Sequence, residues 1–387
     1  MTPSSLPVYS APGFINREKE IALVRNRLEA LLERRTVEQR TFIFTGQHGI
    51  GKSWFLLHLH HELARIRDVK VLHLDLATYL GDLSPQAALL QICAEISNEL
   101  LSGGSMPHTG PDAAAGFLVN AIKRSLNPQQ VLVILLDTVF EAPGDLLGTL
   151  ENYLLAPLAI ERNVLMVLAG RGREYPWKTP ELRLHAEFHK LELFDEAATA
   201  QQLRQYVPNS FSRAGEIFHI SRGNPKTTLL LAVNGNSIAV LNQVIEEMLP
   251  LVAQDERILM HEYLEALSIP RGFDQGHLPH LLNVYYATQT VYPRRDLRLI
   301  LDRLLEPGLI YWNTELLTYT LHEAMRNLLL HYLYRAKPEL WHKLHECCIA
   351  LYQSWVVARS PGWQQWQKEL EYHQLELNDN RSLSNLE

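Results

Sequence analysis

The 387-residue chain carries 36 Lys and Arg against 43 Asp and Glu, a formal net charge of −7 that argues against a protein coated in nucleic acid, although a local basic face stays open. Its length exceeds one comfortable core and predicts two to four domains, and a composition 47% hydrophobic and 20% charged is that of an ordinary soluble protein. Three cysteines, two adjacent at Cys347 and Cys348, offer neither a disulfide framework nor a paired-cysteine metal site; the six-residue apolar run at 131–136 is far too short for a membrane span, no secretory signal opens the chain, and a reducing cytoplasm without a membrane partner is expected.

Pro3, Pro7 and Pro12 make residues 1–13 an extended leader. Phe14-Ile15-Asn16-Arg17-Glu18 then opens an amphipathic helix to about Arg35, with Asn16 as N-cap, Glu18 and Glu20 in the first turn, and Ile21, Val24, Leu28, Leu31 and Leu32 as its apolar stripe.

Residues 41–53 read TFIFTGQHGIGKS and meet the pattern G-x-x-x-x-G-K-[ST] at Gly46, Gly51, Lys52 and Ser53, with an additional Gly49 inside. A buried strand precedes this loop and a helix follows, so free N–H groups at the helix start face a phosphate, aided by the helix dipole. In this reading Gly46, Gly49, Ile50, Gly51, Lys52, Ser53 and Trp54 hold the nucleotide. Lys52 sets its ammonium on the β and γ phosphates, and Ser53 gives its hydroxyl to Mg²⁺.

Residues 69–76 are a second strand, and helices are expected at 84–101 and 112–126, joined by the loop SGGSMPHTGP. The strand in QVLVILLDTVFE ends on Asp137, where such a fold places the carboxylate that orders the Mg²⁺ shell. Glu141 either polarises the attacking water or reads the γ phosphate, or else is a solvated helix-start residue. Arg171, at the end of the strand at 163–170, either senses the γ phosphate or makes a surface ion pair. A fifth strand is expected at 188–193. Apolar strands alternating with helices call for a parallel sheet covered on both faces, with ligand at the carboxyl ends of the strands.

From Asp195, expected to cap a helix, the alternation stops. Gly223-Asn224-Pro225 ends one helix and starts another; Pro225 could also pack on a nucleotide. Helices at 255–268, 275–286 and 294–306 lead into a hairpin around Asn313-Thr314-Glu315, the winged-helix layout. Arg294, Arg295, Arg298 and Arg303 on the third of these helices suit a phosphate backbone, solvent or a protein partner. His322 follows the hairpin at a helix start, and helical pieces run to the end. HLHH at 58–61 lacks zinc-site spacing.

Taken together, the motifs resemble those of the STAND class of signal-transduction ATPases, which includes NACHT and NB-ARC proteins. Phe14-Ile15-Asn16-Arg17-Glu18 is similar to the family's opening motif, which implies that Ile15 and Arg17 lie beside the adenine. GQHGIGKS matches Walker A, and ILLDTVFE resembles Walker B with one additional residue before the glutamate. LAGR ending at Arg171 resembles the sensor segment and RGNP the motif whose proline, Pro225, faces the nucleotide. LHEAMR is similar to the histidine motif, with Glu323 where the family has aspartate; by that match His322 reaches the ADP β phosphate.

The resemblance implies an α/β fold with a P-loop core (14–190) after the leader (1–13), a helical lid (191–245), a winged-helix domain (246–336) and C-terminal helices (337–387). It implies a weak ATPase using ATP or ADP and Mg²⁺, a homo-oligomer when ATP-bound, and sensor or effector functions on separately encoded chains. The alternative expectation is an AAA+ ATPase of initiator or transposition type that grips DNA through its winged helix. A third is a structural adaptor whose loop holds no nucleotide.

Overall fold

The computed structural model describes residues 6–79, 83–101, 110–171, 175–249 and 254–384; most of the loop expected at 102–111 lies outside them. The chain divides into two compact units, Pro7–Leu193 and a second built from Phe194 onward.

The first unit runs α1 (Glu18–Leu32), β1 (Thr41–Thr45), α2 (Lys52–Leu63), β2 (Val69–Asp75), α3 (Pro85–Leu100), α4 (Pro111–Ser125), β3 (Val131–Asp137), α5 (Gly144–Leu150), α6 (Ala156–Ala159), β4 (Val164–Gly170), α7 (Pro180–His185) and β5 (Ala186–Lys190). All five strands are parallel, in the order β2-β3-β4-β1-β5. The two-residue period of a strand sends alternate side chains to opposite faces. Phe42, Phe44, Val133, Leu135, Val167 and Ala169 thus pack with Val24 and Leu28 of α1 and Leu56 and Leu59 of α2. Ile43, Leu132, Ile134, Leu136, Met166 and Leu168 pack with Leu89 and Ile92 of α3 and Leu118 and Ile122 of α4. Burial on both faces is why the central strands read as unbroken apolar runs.

Two expectations shift in this unit. Asn16 does not cap α1: the capping position is Arg17, and Asn16 and Arg17 are both left-handed at φ 64° and 78°. Asn16 Oδ1 accepts the Arg17 N–H at 2.7 Å, a local bond that lets the chain turn sharply before the helix. The fifth strand lies two residues earlier than the run at 188–193, because its register follows β1, from Thr41↔Ala186 to Thr45↔Lys190. Leu191, left out of the strand, is buried instead beneath the loop that follows β1.

The second unit begins with α8 (Glu196–Tyr206), capped by the Asp195 carboxylate through the Ala198 N–H at 2.7 Å, followed by α9 (Ala214–Ser221), α10 (Pro225–Asn234) and α11 (Ile238–Met248). Then come α12 (Gln254–Ser268), α13 (Leu278–Tyr285), α14 (Arg294–Leu305), the antiparallel hairpin β6 (Ile310–Asn313) and β7 (Thr318–Leu321), and α15 (Glu323–Ala336), α16 (Pro338–Val357) and α17 (Trp363–Ser384). The three helices and hairpin form the winged helix.

The turn between α9 and α10 is tightly specified. Asn224 caps α10 through the Thr227 N–H at 3.1 Å, with Pro225 in the first turn. Gly223 sits at φ 75°, and its carbonyl accepts the Phe194 N–H at 2.9 Å. A Cβ there would overlap the Phe194 carbonyl oxygen. Gly223→Ala should therefore cost about 2 kcal/mol or more, from strain and displacement of the Phe194 backbone together, read as a lower denaturant midpoint. An unchanged midpoint would show that this turn can open without cost.

A ladder of rings ties α16 and α17 to α13. His277 is fully buried, with Nδ1 2.8 Å from Asp274 Oδ1 and Nε2 3.2 Å from the Tyr352 hydroxyl. Tyr352 stacks on Trp366 at 5.8 Å and on His373 at 5.6 Å. His373 and His345 share a hydrogen bond between their Nδ1 atoms at 2.9 Å. Burial drives the His345 imidazole down to about 3 and that of His373 well below its usual value, so both are neutral at neutral pH, as a shared single proton requires.

Candidate functional site

The loop after β1 is shaped by its glycines. Gly49 and Gly51 sit at φ 78° and 98°, where a side chain would be strained, and Gly51 is the capping position of α2. The first turn of α2 leaves N–H groups without helical carbonyl partners, a standing anion site reinforced by the helix dipole. Lys52, only 8% exposed, donates Nζ to the Gly46 carbonyl at 2.7 Å and the Gln47 carbonyl at 3.1 Å. Burial pulls its ammonium down to about 8, against the field of Glu141 and Asp137 and with that of Arg171.

Asp137 ends β3 at the carboxyl edge of the sheet, 5% exposed. Its carboxyl is raised by burial, while the neighbouring Ser53 hydroxyl and the Thr138 N–H, which donates to it at 2.8 Å, oppose the rise. Glu141 lies in the 3₁₀ turn Val139–Glu141. Its carboxylate accepts the Arg171 N–H at 3.1 Å and lies 3.4 Å from Arg171 Nε; burial raises this carboxyl too. Arg171 Nη1 lies 3.0 Å from His48 Nδ1. At 18% and 20% side-chain exposure, Glu141 and Arg171 are not a solvated helix start and a surface pair but one clasp drawn in against the loop.

Gly170 makes that clasp possible. A Cβ on it would come within 2.5 Å of the Phe140 backbone nitrogen and 3.1 Å of Glu141 Oε2, so only glycine lets the end of β4 approach the turn after β3 so closely.

The opening motif docks on the same loop. Arg17, 4% exposed, donates Nη2 to the Ile50 carbonyl at 3.0 Å, and Ile15 is buried. Phe14 stacks on His58 of α2 at 4.0 Å, and Tyr9 meets Trp54 edge-on at 6.0 Å. Thus Ile15, Arg17, Gly46, Gly49, Ile50, Gly51, Lys52, Ser53, Trp54, Asp137, Glu141 and Arg171 fall in one unit, around one loop. Pro225 and His322 belong to the other. There Pro225 is buried at the start of α10, its carbonyl accepting from Gln202 Nε2 at 3.1 Å, and the His322 ring stacks on Tyr311 at 4.8 Å before α15.

Sequence reading missed His48, Asp75, Thr138 and Gly170. Asp75 ends β2 as Asp137 ends β3, and the register pairs them. An apolar run stopping on aspartate was the available signal, but adjacency of the two strands was not visible without the sheet order.

The residues present suit Mg²⁺. Ser53 and Asp137 offer hard oxygen ligands near one another, and a buried carboxyl with Asp75 beside it is a charge a cation would relieve. Among the described residues no group of three or more His, Cys, Asp or Glu side chains could hold a metal ion.

A parallel sheet of this order, with the glycine loop after β1 and the acid at the end of β3, is the P-loop NTPase fold. No family model matches the chain, and no curated protein does. Among solved structures it is similar to Cdc6p from Pyrobaculum aerophilum, at 15% identity and TM-score 0.47 over 88% of this chain and 97% of that one. It is also similar to the Orc1 protein of Aeropyrum pernix, solved in complex with DNA, at 16% identity and TM-score 0.39 over 82% and 93%. The RuvB Holliday junction branch migration motor of Thermotoga maritima aligns at 12% identity and TM-score 0.39 over 80% and 93%. No helix of the described residues is long and apolar enough to cross a membrane.

Proposed function

We propose that this chain is a Mg²⁺-dependent ATP-binding switch with slow ATPase activity. The observation that carries the reading is the buried Lys52 ammonium, held inside the glycine loop on the Gly46 and Gln47 carbonyls, with Asp137 and the Glu141–Arg171 clasp beside it. Mg²⁺, when bound, would be held by the Ser53 hydroxyl and the Asp137 carboxylate and would supply positive charge against that of the phosphates. Lys52 exchanges its two loop carbonyls for phosphate oxygens. Arg171 turns from Glu141 toward the γ phosphate, which frees the Glu141 carboxylate to accept a proton from water. Hydrolysis is slow because Glu141 starts each cycle engaged.

In the STAND-type reading, His322 and Pro225 favour the ADP-bound form, the γ phosphate releases it, and the released form self-assembles with partners encoded elsewhere. A ligand shifts such an equilibrium only through different affinities for the two forms. Mass measurements of the full chain with ADP and with a non-hydrolysable ATP analogue, both with Mg²⁺, test it. The triphosphate should raise the mass, and His322→Ala should weaken ADP binding; no change in either removes the switch.

A second reading, an AAA+ ATPase acting on DNA, is favoured by α14. Leu297, Ile300, Leu301 and Leu304 face the core, leaving Arg294, Arg295, Arg298 and Arg303 exposed, with Trp312 exposed on the hairpin. Arg298 is partly engaged by Asp302 at 3.3 Å. Duplex DNA binding by the full chain that weakens steeply with salt, and weakens further in an Arg294→Ala, Arg295→Ala variant, selects this reading.

A further inference from the structure

Thr138 is a β-branched residue in the left-handed region, at φ 59° and ψ 29°, directly after Asp137. A β-branched side chain there is a steric outlier, and such a residue costs on the order of 1–3 kcal/mol unless its surroundings hold it. Two bonds hold this one. Its N–H donates to Asp137 Oδ1 at 2.8 Å, and its Oγ1 donates to Asp75 Oδ1 at 2.6 Å.

Asp75 is itself fixed, since the same Oδ1 accepts the Ala77 N–H at 2.9 Å. Because β2 and β3 are parallel and pair Asp75 with Asp137, the two carboxylates end neighbouring strands and tend to repel. The Thr138 hydroxyl occupies Asp75 while the Thr138 N–H orients Asp137, so the turn links two like charges through one residue. It also sets the chain's exit into the 3₁₀ turn that carries Glu141.

We propose that Asp75 is a positioning residue: by holding Thr138 in its left-handed turn it aims the Asp137 carboxylate at the Mg²⁺ position, without itself touching nucleotide. This rests on the nucleotide-binding reading above. Asp75 is exposed and outside the core, so its removal leaves the fold intact.

The test is the ratio of ADP affinities of the full chain with Mg²⁺ and with EDTA, by fluorescence of a labelled ADP. Asp75→Ala and Thr138→Val should each reduce the Mg²⁺ enhancement by about ten-fold, the lower end of what loss of a residue supporting a metal ligand costs, while ADP affinity in EDTA stays within about two-fold of wild type. Glycine reaches the left-handed region without strain, so Asp75→Ala combined with Thr138→Gly should recover most of the enhancement. A purely electrostatic effect of Asp75 on the ion would not be rescued in this way, and a double variant as poor as Asp75→Ala overturns the proposal. So does an unchanged Mg²⁺ enhancement in Asp75→Ala, or an equal loss of affinity in EDTA. A wild-type protein that binds no ADP with or without Mg²⁺ overturns the function, and this inference with it.

Discussion

Lys52→Ala is expected to lower nucleotide affinity by at least about 100-fold while the protein stays folded. A charge-assisted hydrogen bond contributes about 1.5–3 kcal/mol, and two lost together correspond to roughly 10²–10⁴ in affinity. Part of that is offset, because the wild-type ammonium must leave the Gly46 and Gln47 carbonyls before it meets phosphate. The wild type should also show a pH dependence that the variant lacks. With its ammonium at about 8, Lys52 is charged below that pH and increasingly neutral above it. Phosphate binding favours the charged form, so affinity falls as pH rises through 8, by up to about ten-fold per unit, and binding takes up a proton there. Calorimetry at pH 8.5 in two buffers of different ionisation enthalpy measures that uptake; affinity independent of pH between 7 and 9.5 would rule out the lysine as the phosphate ligand.

The second large effect is expected from Glu141→Gln, which should reduce ATP turnover by about 100-fold or more, the usual loss when a general base is removed. Nucleotide affinity should change only a few-fold. The amide keeps the shape of the carboxylate and an oxygen for the Arg171 N–H, so the clasp loses its charge and not its place. Single-turnover phosphate release, measured beside equilibrium binding, separates the two quantities. Turnover at the wild-type rate would reduce Glu141 to a holder of Arg171.

Much of this site is legible in the amino-acid order because its chemistry is local. The glycines, Lys52 and Ser53 must be neighbours to cradle a phosphate, and Asp137 stands at the end of an unbroken apolar strand. The winged helix is legible for a similar reason: three periodic helices and an alternating hairpin follow one another without a break. What stays hidden depends on which strands lie side by side. The bond from Thr138 to Asp75, the approach of Gly170 to Phe140 and the contact of Arg171 with His48 each join distant segments through the order β2-β3-β4-β1-β5. The displaced fifth strand has the same origin, since an edge strand takes its register from its neighbour and not from its own apolar run. Asn16 misleads differently: its side chain favours a cap, yet it serves the tight turn before α1.

The stacked rings of α13, α16 and α17 bear on how this protein can be dissected. A fragment ending at residue 336 would take away Tyr352, Trp355 and Trp366, which cover the His277 ring, and with Tyr352 the hydroxyl that meets its Nε2. Side chains that lose their cover in this way forfeit about 1.5–3 kcal/mol of burial each. Deletion mapping would then register a weakened winged helix and credit the lost activity to the tail, when the tail had served as its scaffold.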